Sequence, residues 1–402
     1  VYSASEVLSP GIPLDSPAVQ QALGSDVPIK SELGFACDAI SREDILLIAV
    51  TGTNGKSTVT HFSAELLQHS GVCAWAGGNL GIPLSALALD MRRGVASGVQ
   101  VAVVEVSSYQ LEVPSSLRPN AAVLLNLTPD HLDRHGSMES YAAAKCSLFR
   151  NMLPRDVALI PADDAELAQM AHESNPELAF LTIGRLPGVQ LIGRHATIQL
   201  PAAPKMVLDM NALNCVGMHN HVNASVAAAL VASLQLPGVD EQALQTGLSS
   251  LSGLPHRMQV LGEVGGVEWI NDSKATNVEA AATGIRGLEK PAVVLLGGLA
   301  KRNQAGSLGF WRVAEPLTCH RGVVVFGRDG PEIAEELLSV GINATVAPSL
   351  RAAVDLACQL AFPGDALLLS PGCASFDEFT SFQNRGEVFA RLLQEYLEKT
   401  HP

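Results

Sequence analysis

Short apolar runs alternate along the chain with longer stretches of helical periodicity. ILLIAV (45–50), VAVVEV (101–106) and AVLLNL (122–127) show no polar–apolar alternation, which predicts strands buried on both faces of a parallel sheet. A helix is predicted near 57–70, stopped by Gly71, and another over 220–235. After SGLPHR (252–257) the series restarts with VEWI (267–270), AVVLLGG (292–298), GVVVFG (322–327) and DALLLSPG (365–372), and the last segment reads as helix to the end. The pattern predicts an α/β protein with two doubly wound domains joined near 253–258. Residues 1–44 are too short for a further domain and read as the tail of one. The chain has no low-complexity tract and no repeat of about 20–50 residues.

Composition narrows the partners. A chain of 402 residues, 47% hydrophobic, can bury large cores. Its net charge of −14, from 26 Lys and Arg against 40 Asp and Glu, argues against a non-specific nucleic-acid binder. An anionic substrate would therefore need local cations. Seven scattered cysteines without a CxxC suggest neither a zinc site nor a disulfide framework, and point to a reducing compartment. No apolar run approaches the roughly 20 residues of a membrane helix.

The first apolar run ends in TGTNGKST (51–58). The phosphate-loop pattern GxxxxGK[ST] is matched in part, because Val50 stands at its first glycine position. Gly52, Thr53, Asn54, Gly55, Lys56, Ser57 and Thr58 remain, at a strand-to-helix turn. Backbone N–H groups and the positive helix end would hold phosphate oxygens, Lys56 would neutralise their charge, and Ser57 or Thr58 would reach a magnesium ion. ATP is favoured over a dinucleotide, since no GxGxxG follows any strand. Glu105 ends the next buried run, where a carboxylate either shares the magnesium or is a surface charge. His131 follows the third run, in NLTPDHLDRHG (126–136). Three strand ends thus bring polar groups to one crevice, where open α/β sheets bind ligands.

Tyr141, Lys145, Leu148 and Phe149 share one apolar helix face. On that spacing alone, Lys145 is expected to snorkel along its stem to water. If buried instead, its amine would be pushed toward neutrality and could add carbon dioxide, giving a carbamate able to bind a second metal.

SPGIP (9–13), GTNGKST, GGNLGIP (77–83), EVSSYQLE (105–112), NLTPDHLDRHG, GMHNHVN (217–223), LPHRM (254–258), NDSKATN (271–277), LGG (296–298) and SPGCASFDEFTSFQNRG (370–386) run in order along the chain. Together they resemble the ATP-dependent Mur ligases of peptidoglycan synthesis. NDSKATN and SPGCASFDEF resemble the members that add D-glutamate to UDP-N-acetylmuramoyl-L-alanine.

The resemblance implies a remnant of an N-terminal Rossmann-like UDP-binding domain (1–44), a central P-loop-type ATPase domain with a parallel-rich sheet (45–253) and a C-terminal Rossmann-like amino-acid domain (254–402). It also implies chemistry. A substrate carboxylate attacks the γ-phosphate of ATP, and the D-glutamate amine then displaces phosphate from the acyl phosphate. Lys56 would stabilise the transferring group, Ser57 and Glu105 would hold one Mg2+, and His131 with carbamylated Lys145 a second, His131 also facing substrate. Asn79 matches a contact to the uridine nucleotide, and Asn220 and Asn223 lie at adenine positions, with helix capping as their other reading. Arg257 would clamp ATP phosphate, with His256 in the same motif. Asp272 would accept from ribose hydroxyls, Lys274 would lie beside the phosphates, and Thr276, Lys301, Ser375 and Phe382 would serve D-glutamate.

Departures accompany the match. Leu299 and Ala300 stand where an acidic residue commonly precedes the lysine, and Gln259 where glutamate is frequent. Most of the uridine-binding domain is not in this chain, which leaves a nucleotide-binding relative without ligase activity as one alternative. A folylpolyglutamate synthase-like ligase is the other. The resemblance implies a monomer that uses small substrates, without nucleic acid or membrane. Its place would be the cytoplasm, or a plastid stroma if a transit peptide has been removed.

Overall fold

The computed structural model describes residues 6–400 except 25–28, 41–44, 80, 114, 202, 214, 252 and 303–305. Leu80 in GGNLGIP, Ser252 before LPHR, Asn303 beyond Lys301 and parts of segment 1–44 therefore lie outside the described residues. Two compact units divide the chain: Val1–Asn214 with His221–Leu251, and Cys215–Asn220 with Ser252–Pro402.

In the first unit, β1 (Glu6–Leu8) pairs in parallel with β2 (Ile29–Ser31). The helix Glu32–Ala39, capped by the Ser31 hydroxyl, buries Leu33, Ala36 and Cys37 in one core with Leu84, Leu87, Ala102 and Val104. The main sheet contains β3 (Leu46–Thr51), β4 (Ala74–Gly78), β5 (Val101–Glu105), β6 (Ala121–Leu124), β7 (Val157–Pro161), β8 (Phe180–Ile183), β9 (Gly188–Ile192), β10 (His195–Gln199) and β11 (Met206–Asp209). Among the described residues its order is β11-β10-β9-β8-β7-β6-β3-β5-β4. The pairs from β4 to β9 are parallel, and β10 and β11 close one edge antiparallel. The uninterrupted apolar runs are the central strands β3, β5 and β6, covered on both faces, as the absence of alternation predicts. Strand order reverses between β3 and β6, so a crevice opens at their carboxyl ends. The helix Met218–Ser233 is apolar around its circumference, and Ala224 and Val226 to Val231 are fully buried.

The second unit has a six-stranded sheet of β12 (Gln259–Val264), β13 (Val267–Asn271), β14 (Ala292–Gly297), β15 (Gly322–Phe326), β16 (Ala344–Ala347) and β17 (Ala366–Leu369), in the order β12-β13-β17-β14-β15-β16. Only the β12–β13 pair among them is antiparallel. Period two sorts its side chains between two cores: Ile270, Val294, Leu296 and Leu368 face one, while Trp269, Val293, Leu295 and Leu367 face the other.

Candidate active site

In the first unit, β3 runs directly into the glycine loop and the helix Lys56–His69. Gly55 caps that helix at φ 86°, a left-handed conformation, and a Cβ there would lie 2.9 Å from Asn223 Oδ1, so only glycine fits without strain. The first helical turn leaves N–H groups without intrahelical acceptors, directed where an anion would sit.

The outer loop is tied down by the segment that follows β6 and by the helix Met138–Cys146. Gly52 O accepts from Lys145 Nζ at 2.8 Å and from Lys56 Nζ at 3.0 Å, and Lys56 also donates to Thr53 O at 2.9 Å. The Thr53 hydroxyl donates to Thr128 O, accepts from Thr128 N at 3.0 Å and lies 3.2 Å from Tyr141 Oη. Its side chain is thus turned inward, and its backbone N–H is also engaged, donating to Asn126 O at 3.0 Å. Asn126 grips Asn54 through both ends of its amide: Oδ1 accepts from Asn54 N at 2.9 Å and Nδ2 donates to Asn54 O at 3.0 Å.

The expectation that Lys145 snorkels to water is corrected. It is 1% exposed, in the helix Met138–Cys146, with Nζ 4.7 Å from the Tyr141 ring centroid. The stem cannot reach water because Leu148 and Phe149 continue the same buried face. Burial, reinforced by the Lys56 charge, pushes the Lys145 amine well below the usual lysine range, against the opposing pull of Asp130 and Glu105. Burial likewise pushes the Tyr141 hydroxyl up to about 12, so it stays protonated.

Glu105, buried at the end of β5, accepts from the exposed Asn79 amide at 2.9 Å. Asn79 therefore orients a carboxylate here. His131 caps the short helix Leu132–His135 at φ 54°; its Nδ1 lies 2.9 Å from Tyr109 Oη and its Nε2 3.5 Å from Asp130. Arg134 joins this crevice to SPGIP, bonding Glu112 with two nitrogens and donating to Ile12 O at 2.9 Å. The structure thus brings Lys56, Glu105, Asp130, His131 and Lys145 to one sheet edge. Asn126, Thr128, Asp130 and Tyr141 were not singled out from sequence, although all but Tyr141 lie within NLTPDHLDRHG.

In the second unit, three loops meet at the carboxyl ends of β13, β14 and β17. Leu299 and Ala374 exchange two backbone hydrogen bonds of 2.9 Å, which sets Lys301 two residues from that bridge and buried Ser375 one residue from it. Ala300 N donates to Asp329 Oδ2 at 2.8 Å, so an acidic side chain reaches this loop from β15's end although none precedes Lys301 in sequence. Gln259 Oε1 accepts from His256 N at 2.9 Å, a bond a glutamate would make equally, so this departure leaves the turn unchanged. Lys274 Nζ sits 4.0 Å from the Phe382 ring centroid. Thr276 is half-buried beside them.

His256 (φ 63°) and Met258 (φ 44°) flank Arg257 in left-handed conformations that cost each about 1–2 kcal/mol. They are held by Lys274 N on His256 O, by Asn271 Nδ2 at 3.0 Å from His256 Nδ1, and by Met258 N on Asp272 Oδ1. Asp272 Oδ2 accepts from the Ser370 hydroxyl at 2.6 Å. Both carboxyl oxygens are thereby engaged inside the unit, and a ribose contact would require exchanging one of these bonds. Burial pushes Asp272 up to about 7, although Ser370, Met258 N, Arg257 and Arg385 oppose the rise. Asn220 Nδ2 donates to Val216 O at 2.7 Å, a turn-closing role, whereas Asn223 faces Gly55.

Residues 50–231 match the Mur ligase middle domain and residues 256–373 the Mur ligase, glutamate ligase domain. The UDP-N-acetylmuramoylalanine–D-glutamate ligase of Thiobacillus denitrificans is 37% identical over 396 residues, spanning 95% of this chain and 81% of that one. The chain belongs to the Mur ligase family. The protein of the same name from Anaeromyxobacter dehalogenans is 39% identical over 408 residues, spanning 97% of this Mur ligase and 83% of the relative. The fold is shared with MurF ligase from Thermotoga maritima, solved in complex with ADP, at 17% identity and a TM-score of 0.64, covering 98% of this chain and 96% of that one.

Proposed function

We propose that this Mur ligase uses ATP to join D-glutamate to UDP-N-acetylmuramoyl-L-alanine in peptidoglycan precursor synthesis. The observation that carries the reading is the crevice of the first unit, where a helix N-terminus and Lys56 lie at the place of a phosphate and the buried Lys145, its amine pushed well below the usual lysine range, stands beside them. The relatives' names supply the substrates.

The substrate carboxylate attacks the γ-phosphorus of ATP; the bond from the β,γ-bridging oxygen to that phosphorus breaks, leaving ADP and an acyl phosphate. The D-glutamate nitrogen then bonds to the acyl carbon, loses a proton, and inorganic phosphate leaves. Lys56 and the first-turn N–H groups stabilise charge on the transferring group. Ser57 and Glu105 are hard oxygen donors of the kind that would hold Mg2+. Among the described residues no three His, Cys, Asp or Glu are placed together to hold a metal. Bound magnesium would neutralise phosphate charge during attack. Carbamylation of Lys145, with His131 as co-ligand of a second Mg2+, would fit an amine that burial biases toward its neutral form. In the second unit Lys301, Ser375 and the Phe382 region would receive the D-glutamate carboxylates, and Arg257 with Lys274 the ATP phosphates. We place the enzyme, as a monomer acting on small soluble substrates, in the cytoplasm or a plastid stroma.

The test is stoichiometry. ADP and phosphate should appear in equal amounts, and only when both the UDP-linked substrate and D-glutamate are present. Nucleotide binding without any such turnover would identify a non-catalytic relative instead.

A further inference from the structure

We infer that Asn126 is a positioning residue for the nucleotide, acting through the shape of the phosphate loop. The inference rests on the reading of residues 52–58 as that loop. Asn126 stands at the point where strand order reverses between β3 and β6. Backbone pairing between these strands continues one step past their ends: Leu125 N donates to Thr51 O at 3.0 Å, and Thr53 N to Asn126 O at 3.0 Å. Beyond that the chains diverge, and the Asn126 side chain takes over as a substitute backbone. Its carboxamide offers one acceptor and one donor in the spacing of a peptide group, and it satisfies both the N–H and the C=O of Asn54.

Two consequences follow. The Thr53 and Asn54 N–H groups are both consumed by Asn126, so phosphate would be met further along the chain, toward the first helical turn. The loop is also fixed before any ligand arrives, because Gly52, Thr53 and Asn54 are anchored separately by Lys145, by Thr128 with Tyr141, and by Asn126. Of these anchors, Asn126 is the side-chain carboxamide, offering a donor and an acceptor at once. It holds the only loop residue tied through both backbone groups by one side chain. Preorganising the loop lowers the ordering cost of binding.

Asn126→Ala deletes both bonds and leaves Lys56 and the helix in place. ATP and ADP dissociation constants, measured by calorimetry, should rise about 10–100-fold. The Michaelis constants for D-glutamate and the UDP-linked substrate should stay within about 2-fold. Asn126→Asp keeps the acceptor and the volume but puts a carboxylate against Asn54 O, and should weaken both nucleotides as well; it decides the matter if the alanine variant does not fold. Unchanged nucleotide affinity in a folded variant, or equal losses for all three substrates, would overturn the inference. Lys56→Ala is the control. If it too binds ATP normally, the phosphate-loop reading fails; if it loses ATP while Asn126→Ala does not, only the role of Asn126 fails.

Discussion

The two units solve the same problem, a loop held at the end of a parallel sheet, with opposite electrostatics. In the first unit the fixing groups are neutral amides and hydroxyls, and among its described residues the fully buried cationic side chain is Lys145, which donates to Gly52 O and whose amine is pushed by burial well below the usual lysine range. In the second unit the anchor is Arg385, fully buried, whose guanidinium donates to the Ser273 hydroxyl and to the carbonyls of Ser273, Cys373 and Ala374. Burial lowers Arg385 only to about 10, so it keeps its charge and every N–H needs an acceptor. A lysine can lose its proton and become a nucleophile; an arginine cannot. The comparison teaches that burial biases the lysine of the first unit toward losing its proton, whereas the arginine of the second keeps its charge and serves as architecture.

The largest break is expected from Lys56→Ala. Loss of its fixed charge should lower ATP-dependent phosphate release by about 10²-fold or more, read by a coupled phosphate assay. Near-normal release would remove the loop from phosphate chemistry.

Lys145 sharpens the contrast further. Lys145→Ala should fold yet show little activity, and small carboxylates at high concentration should restore part of it by filling the place of a carbamate. Full activity would leave the second metal without this ligand. Lys145→Met fills the volume without an amine and separates stability from activity. Because the folded amine titrates below the unfolded one, the wild type should lose stability as pH falls below the usual lysine range. The methionine variant should lack that slope in thermal melts between pH 6 and 10.

Lys301→Ala acts on the second unit alone. It should raise the Michaelis constant for D-glutamate roughly 10–150-fold while leaving that for ATP near its starting value. An unchanged D-glutamate constant would take Lys301 out of the site.

Asp272 is tested by stability rather than by activity. Its folded pKa of about 7 lies above the unfolded value of 3.8, so the stability it contributes is present at low pH and lost as pH rises toward 7. Asp272→Asn can accept from Met258 N and donate to Ser370 at every pH. It should stabilise the fold by on the order of 2–4 kcal/mol at pH 8, and the gain should shrink toward pH 4. A gain independent of pH would show that Asp272 is ionised in the native state.

How much of this was legible depended on what kind of residue carried each feature. The buried strands β3, β5, β6, β13, β14, β15 and β17 were readable because continuous apolar runs have few other uses in a doubly wound sheet. β4 was not, since AWAGG sets one strand-forming residue, Trp75, among alanines and glycines; Gly78 is required because a Cβ there would strike Glu105 O. The strands from β8 to β11 are short and half-exposed, which weakens their signal. Lys56, Glu105 and His131 were legible because strand ends predict a crevice. Lys145 was misjudged on periodicity alone, because nothing in a helical spacing reveals that the neighbouring loop offers a carbonyl to a buried amine. Asn126, Asp130 and Arg385 sat in noticed segments, but their roles depend on backbone partners far away in sequence.

The central claim is the identity of the amino acid that is joined, and product mass with paired enantiomers tests it most directly. Incubated with ATP, Mg2+ and UDP-N-acetylmuramoyl-L-alanine, the enzyme should form the glutamyl adduct from D-glutamate and little or none from L-glutamate. An adduct formed from L-glutamate alone would contradict the account.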